Sequence, residues 1–282
     1  MITCDLQGGL GAQLFQITAT IAYCIQHKSP FIFPYSEALG ERPTYWNTFF
    51  DKIQIYTTCS KNFPYADPNE IIKFLRSFPK YQEPEFAYNE IPKFNKLILN
   101  GHFQSHKYTE KAKDQLFDIM DIKFKQLSIK TEYIELFDHS NMISIHFRVG
   151  VYKQEYYHVL PIEYYVNVLS QITMPSKALV FCKQEDNEII EVHLNLLRNK
   201  FEHITFMKVN DDLPDWNQLI LQSWCNMNII ANRSFSWWGA YLNKNVNAVF
   251  YPDVWFGHMI NNNVLDLFPD EWRQTACVKI DC

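Results

Sequence analysis

The sequence predicts an α/β protein made of two halves, each a mainly parallel sheet covered by helices. Three observations predict it. Short apolar runs alternate with helix-period segments over much of the chain, and a glycine-rich turn joins the first strand to the first helix. The 282 residues, 47% of them apolar, are also enough for two modest cores.

The opening run ITCDL reads as a strand, GGLG as a tight loop, and the apolar spacing at Leu14, Thr18, Ile21, Ala22 and Ile25 as a helix. From Ser29 to Tyr88 the chain is rich in proline and aromatic residues and weak in periodicity, which predicts irregular structure with a short helix near Asn69 to Arg76. A strand follows at Leu97 to Leu99, a turn at Gly101 and a helix over Glu110 to Phe124. The polar stretch around Asp138 to Asn141 marks a domain boundary, giving segments 1–138 and 139–282. The second series begins with the apolar strand MISIHF from Met142 and continues with a helix from Pro161 to Gln171. Next come a strand from Ala178 to Cys182, a helix from Asn187 to Asn199, the strand HITFMKV and a helix from Asp215 to Cys225. The strand NIIA, a turn, the helix SWWGAYLN and the strand AVFY close it.

Composition narrows the function. The formal charge of −5 and the lack of a Lys/Arg run exclude a polyanion-binding surface, so nucleic acid is not an expected partner. Seven cysteines, odd in number and without a CxxC pair, read as reduced thiols. With no signal peptide and no apolar stretch of membrane-spanning length, the expected location is cytoplasmic, and any membrane is reached only by peripheral contact. The sequon Asn232-Arg233-Ser234 lies inside a motif where a glycan would block packing. The 16% aromatic content suits stacking on sugars or bases and equally suits an aromatic core.

Three segments carry chemistry. GGLGAQLFQ places Gly8, Gly9 and Gly11 between a strand and a helix, where close backbone approach and free helix amides can hold an anion or a sugar oxygen; such a turn also serves as a packing device. HFRVGVYK follows an apolar strand, so His146 and Arg148 stand at a strand's carboxyl end, two apart and on one face, able to address one phosphate. Arg148 can give a pyrophosphate two charge-assisted hydrogen bonds; the competing reading pairs it with a carboxylate. In ANRSFSWWGAYLN, the serines precede a helix expected to start at Trp237, offering hydroxyls beside free amides for a phosphate, or ordinary capping over a tryptophan core.

In this order and spacing, GGLGAQ, GHFQSHKY, HFRVGVYK and SFSWWGAYLN resemble glycosyltransferase family 11, the alpha-1,2-fucosyltransferases, over the whole chain. The resemblance implies a GT-B-like fold of two Rossmann-like domains with mainly parallel sheets facing a cleft. It makes 1–138 the acceptor side and 139–282 the nucleotide-sugar side. It further implies GDP-fucose as donor, transfer to a carbohydrate hydroxyl with inversion, and no metal or other cofactor. No D-x-D stands in the sequence. Arg148 and His146 become the catalytic candidates. Gly9, Gly11, Gln13, Tyr152, Ser234, Phe235 and Ser236 become donor contacts, and Gln104, Ser105 and Tyr108 acceptor contacts. For the base, His146, Asp5, Glu185 and Asp186 qualify by residue type.

The departures are Ala12 where the family has Asn, Val151 where it has Asp, and Cys182-Lys183-Gln184 where it has S-D-D. Arg233 replaces a usual Ser, and Asn217 lies where an acidic residue is usual. Two alternatives fit the same residues: a weak or inactive carbohydrate- or nucleotide-binding relic, and a transferase using another nucleotide sugar.

Overall fold

The computed structural model describes residues 1–59, 67–150, 158–244 and 246–278. Contacts divide the chain into two compact units, Met1–Lys123 with Asn262–Pro269, and Phe124–Asn261 with the segment from Asp270 onward.

The first unit is built on a parallel sheet. Its elements are β1 (Ile2–Cys4), α1 (Leu10–His27), a two-residue hairpin of β2 (Ala38–Leu39) and β3 (Arg42–Pro43), α2 (Pro68–Arg76), β4 (Lys80–Gln82), β5 (Leu97–Asn100) and α3 (Lys113–Ile119). The sheet order is β1-β5-β4, with Thr3 opposite Ile98 and Lys80 opposite Ile98 on the other side. Gly8 is held at φ +78, and a Cβ there would stand 2.9 Å from the Ala12 Cβ, so the turn into α1 requires glycine. From Leu10 to Cys24 nearly every residue of α1 is buried, its polar ones included. Thr18 and Thr20 solve this by donating to the Leu14 and Gln16 carbonyls at 2.6 and 2.7 Å. Helix α2 starts as expected: Asp67 accepts from the Asn69 amide at 2.9 Å and a proline opens the first turn.

The second unit carries α4 (Ile122–Glu132), β6 (Met142–His146), α5 (Ile162–Leu169), β7 (Ser176–Phe181), α6 (Asn187–Lys200) and β8 (Ile204–Lys208). Then follow α7 (Asp215–Gln222), β9 (Met227–Ile229), α8 (Ser234–Tyr241), β10 (Ala248–Pro252) and β11 (Arg273–Thr275). The six strands run in the order β11-β10-β9-β6-β7-β8, every neighbouring pair parallel. β6 and β7 are buried along their whole length, which is why they read as uninterrupted apolar runs, whereas the edge strand β8 alternates buried and exposed residues.

Local readings fail where tertiary packing intervenes. The helix expected over 110–124 is broken: a 3-10 turn at Glu110–Ala112 leads into α3, and Asp121 at φ +54 separates α3 from α4. Helix α4 was not read from the sequence; nor were β4 and β11. The division between units falls between Lys123 and Phe124, ahead of the 138/139 position marked by the polar stretch, because α4 packs with the second unit. Gln126 of α4 accepts from the Trp224 indole at 2.8 Å and donates to Ser223 Oγ and the Leu242 carbonyl at 2.9 and 3.0 Å. All described cysteines are free, and no described helix is long and apolar enough to cross a membrane.

Candidate functional site

The strand order of the second unit fixes where a ligand belongs. From β6 the chain moves outward through β7 to β8, then returns to the other side of β6 as β9. In open parallel sheets, the crevice beyond the carboxyl ends at such a reversal is the binding position. HFRVG leaves β6 there, and ANRSFS leaves β9 beside it. The two motifs, about eighty residues apart in sequence, therefore meet at one point because Ile145 pairs with Ile229 across the reversal.

Arg148 emerges just past β6. Its Nη1 donates to Asp186 Oδ2 at 3.0 Å and to Glu185 Oε1 at 3.4 Å, both carboxylates lying beyond the end of β7. Asp186 is 4% exposed and Arg148 17%, so this is a mostly desolvated pair. Nη2 and Nε have no protein partner among the described residues. Gly150 makes room: a Cβ there would stand 3.0 Å from the guanidinium. The carboxylate pairing weighed against phosphate binding is thus present, but it occupies one edge of the guanidinium and leaves another available. The sequence had offered Glu185 and Asp186 as bases; here Asp186 holds Arg148, and Glu185 is shared with Lys183 at 3.1 Å.

His146 ends β6 and is buried. Burial, reinforced by the positive charges of Arg233 and Arg148, holds its pKa down to about 3. The ring is neutral at working pH, so it adds no charge beside Arg148. Its Nδ1 is buried with no partner among the described residues, and the Phe235 ring lies 5.5 Å away. Unfolding returns the imidazole to an ordinary pKa near 6.5. Its neutral burial therefore contributes stability that is present above that pH and is lost as pH falls toward 3. Urea midpoints of the natural protein are expected to drop over this range more steeply than those of His146→Gln; parallel curves would refute the assignment.

Helix α8 begins at Ser234, three residues before the expected start at Trp237, with Arg233 at the N-cap. Ser234, Phe235 and Ser236 are its first turn, where amides have no intrahelical acceptor. Ser236 is fully buried and its hydroxyl donates to the Ala231 carbonyl at 3.2 Å, so only its amide is left for a ligand. Ser234 and Phe235 are half-buried. Trp237 and Trp238 are both in the core. Asn232 is buried and donates to the His158 and Trp255 carbonyls at 2.7 and 2.9 Å, which leaves no amide free for a glycan. Tyr152 and Val151 lie outside the described residues.

In the first unit, Gly9 is the N-cap of α1 and Gly11 lies in its first turn. A Cβ on Gly9 would meet nothing within 4 Å, and its φ of −85 suits any residue, so the protein's own packing does not require glycine there. Gln13 was expected to contact the donor, but it is fully buried and its amide donates to the Gly8 and Pro43 carbonyls at 3.0 and 2.8 Å. Its Oε1 is buried with no hydrogen-bond partner among the described residues.

The proposed acceptor readers divide the same way. Ser105 is buried and donates to the Asp266 carbonyl at 2.7 Å; the Tyr108 hydroxyl donates to the Ala87 carbonyl at 3.3 Å and accepts from the Asn89 amide at 3.1 Å. Burial pushes the Tyr108 phenol well above its usual range. Both are spent inside the unit. Gln104 alone is half-buried with no side-chain hydrogen bond among the described residues. Glu83, which the sequence did not single out, holds this loop by accepting from the His102 and Phe103 amides at 2.6 and 3.0 Å. Gly101 is required beside it, since a Cβ would come within 2.4 Å of the Glu83 side chain.

Comparison with known proteins places the chain in a family. The model of Glycosyl transferase family 11 matches residues 56–273. An alpha-1,2-colitosyltransferase of Escherichia coli is 27% identical over 96% of this chain and 98% of its own. The O-antigen biosynthesis glycosyltransferase WbnK of Escherichia coli is 25% identical over 96% and 99%. The solved NodZ alpha-1,6-fucosyltransferase, co-crystallised with GDP, matches with a TM-score of 0.50 at 11% identity, covering 88% of this chain and 93% of its own. That likeness carries the GT-B-like fold alone.

Proposed function

The chain belongs to glycosyltransferase family 11, and on that premise we propose that it transfers L-fucose from GDP-fucose to a sugar hydroxyl, with inversion, without a metal ion, and with an alpha-1,2 linkage as product. The observation that carries the reading is that Arg148, past the end of β6, and the first turn of α8, past the end of β9, follow neighbouring strands at the reversal of the second sheet. In the reaction the acceptor oxygen attacks the anomeric carbon, the bond from that carbon to the phosphate oxygen breaks, and the electron pair leaves with GDP. The hydroxyl loses its proton to water or to the departing diphosphate as attack proceeds. Negative charge grows on the departing diphosphate, and donors already aimed at it do most of the catalysis. The free edge of Arg148 and the amides of Ser234, Phe235 and Ser236 supply them, the helix terminus adding its partial positive charge. His146 lines the same place as a neutral ring.

A second donor is favoured by one observation: a relative covering nearly the whole chain is named for colitose, which is L-fucose without its 3-hydroxyl. A donor screen separates the two. Calorimetry is expected to show GDP binding and no comparable UDP or ADP binding, transfer is expected to survive excess chelator, and NMR of the product to show an inverted anomeric centre. Binding of no nucleotide would support a silent relic, and loss of transfer on chelation would overturn the metal-free route.

A further inference from the structure

We propose that the outer edge of the second unit, formed by β8 and the adjoining side of α6, pairs with a second copy of this chain in a two-fold dimer. β8 ends its sheet, and no described strand lies on its outer side. Ser176 donates to the His203 carbonyl at 3.1 Å and Val209 to the Val180 carbonyl at 2.9 Å, so the odd-numbered residues of this stretch bond inward to β7. Backbone groups alternate in direction along a strand, and Phe206 therefore turns its amide and carbonyl to the open edge. Exposed edges are normally blunted by free charge, proline or a covering segment. The only charged side chain of β8, Lys208, is drawn back onto Asp211 at 2.6 Å, and Met207 is 39% exposed.

The side of α6 next to this edge is polar and complementary to itself. Asn187, Glu191, Asn195 and Arg198, at helical spacing, form one face of the helix. Asn187 donates to Asp211 Oδ2 at 2.8 Å just past β8, whereas His193, on another face, lies 6.0 Å from the Phe147 ring past β6. The face carrying Glu191 and Arg198 is thus the one turned to the outer edge. Arg198 Nη1 donates to Glu191 Oε1 at 2.6 Å and to Asn195 Oδ1 at 3.2 Å, and its Nη2 and Nε have no protein partner among the described residues.

A two-fold axis through Phe206, perpendicular to the sheet, satisfies both features. Phe206 exchanges two backbone hydrogen bonds with Phe206 of the second copy, and Met207, on the strand's other face, meets Thr205 of that copy. α6 runs antiparallel to β8 beside the same stretch, from Asp211 at its start to the Phe201 carbonyl that accepts from Ile204 at its end. Its middle then faces the middle of the other α6, antiparallel, with Glu191 of each helix toward Arg198 of the other. α6 shares its core with both β7 and β8, so its axis lies about half a strand spacing inside β8. Strands pairing at about 4.8 Å therefore set the two helices about 10 Å apart, near normal packing distance. The face is about 20 Å long and two layers of about 10 Å deep, close to the roughly 500 Å² a side that a specific dimer requires. Another chain's strand could cover the edge, but a second copy also brings the matching glutamate and arginine about the same axis.

The inference does not depend on the transferase reading. Full-length protein is sedimented at about 1–100 μM, the range in which an interface of this size is expected to assemble, and the natural chain is expected to shift from monomer to dimer across it. Arg198→Glu and Glu191→Arg, both at solvent-accessible helix positions, should each weaken the dimer at least about tenfold through like charges repeated across the axis. Their urea midpoints should stay close to the natural value. An equimolar mixture of the two variants should associate again, since one then carries an acidic face and the other a basic one. Hydrogen exchange at the Phe206 amide should slow with rising concentration in the natural protein and not in either variant alone. A natural protein that is monomeric throughout, a dimer indifferent to both reversals, no association in the mixture, or a Phe206 amide insensitive to concentration would each overturn the proposal.

Discussion

Arg148→Ala is expected to lower transfer from GDP-fucose by about 10²–10³-fold, the effect of removing one preorganised donor to a developing anion. The same change removes the cation beside Asp186, a carboxylate that is 4% exposed. Leaving a buried charge uncompensated costs about 3–5 kcal/mol, and the lower end applies because Arg148 keeps some solvent. Loss of activity through misfolding and loss through chemistry are separated by the double variant Arg148→Ala/Asp186→Asn, which should recover most of the stability in urea and none of the turnover. Arg148→Lys keeps a positive charge but not the planar fork that lets one edge face Asp186 and another a phosphate, so it should fold normally and remain well below natural turnover. Measurement of GDP release with and without acceptor reads these outcomes. Full turnover in folded Arg148→Ala would remove the guanidinium from the mechanism.

Trp237→Ala is expected to destabilise the protein by about 3–5 kcal/mol, the cost of emptying a large aromatic site in a packed core. Trp237 is completely buried, stacks on Tyr241 at 4.6 Å between centroids and contacts Trp238 and Trp272. The urea midpoint should fall with the slope unchanged, while the fraction still folded at low temperature keeps its GDP affinity. Lost binding without lost stability would make the ring a ligand surface.

Much of this was legible in the residues, for reasons that can be located. The apolar run MISIH reads as a strand because both of its faces are covered. The two catalytic-side motifs could be placed at strand ends by local pattern alone, and the short helix expected near Asn69 to Arg76 is present as Pro68–Arg76. What the residues alone could not show involves groups whose partners are distant. Gln13 and Ser105 looked like readers of a ligand because they are polar residues in or near glycine-bearing loops; the Gln13 amide NH2 and the Ser105 hydroxyl donate to the Pro43 and Asp266 carbonyls, while Gln13 Oε1 keeps no partner among the described residues. The pattern places His146 beside Arg148 but does not show that burial beside two guanidinium groups keeps its ring neutral. Glu83 carried no signal of its own; its importance comes from the two loop amides it meets.

The linear sequence determined the alternation of strands and helices, the glycine turns and the family, because periodicity, turn chemistry and motif spacing are properties of neighbouring residues. Tertiary structure alone decided which carboxylate faces Arg148, which polar side chains remain free for a ligand, and that helix α4 packs with the second unit. Those outcomes depend on strand order and burial, which bring together residues far apart in the chain and set the solvation on which each charge and hydrogen bond depends.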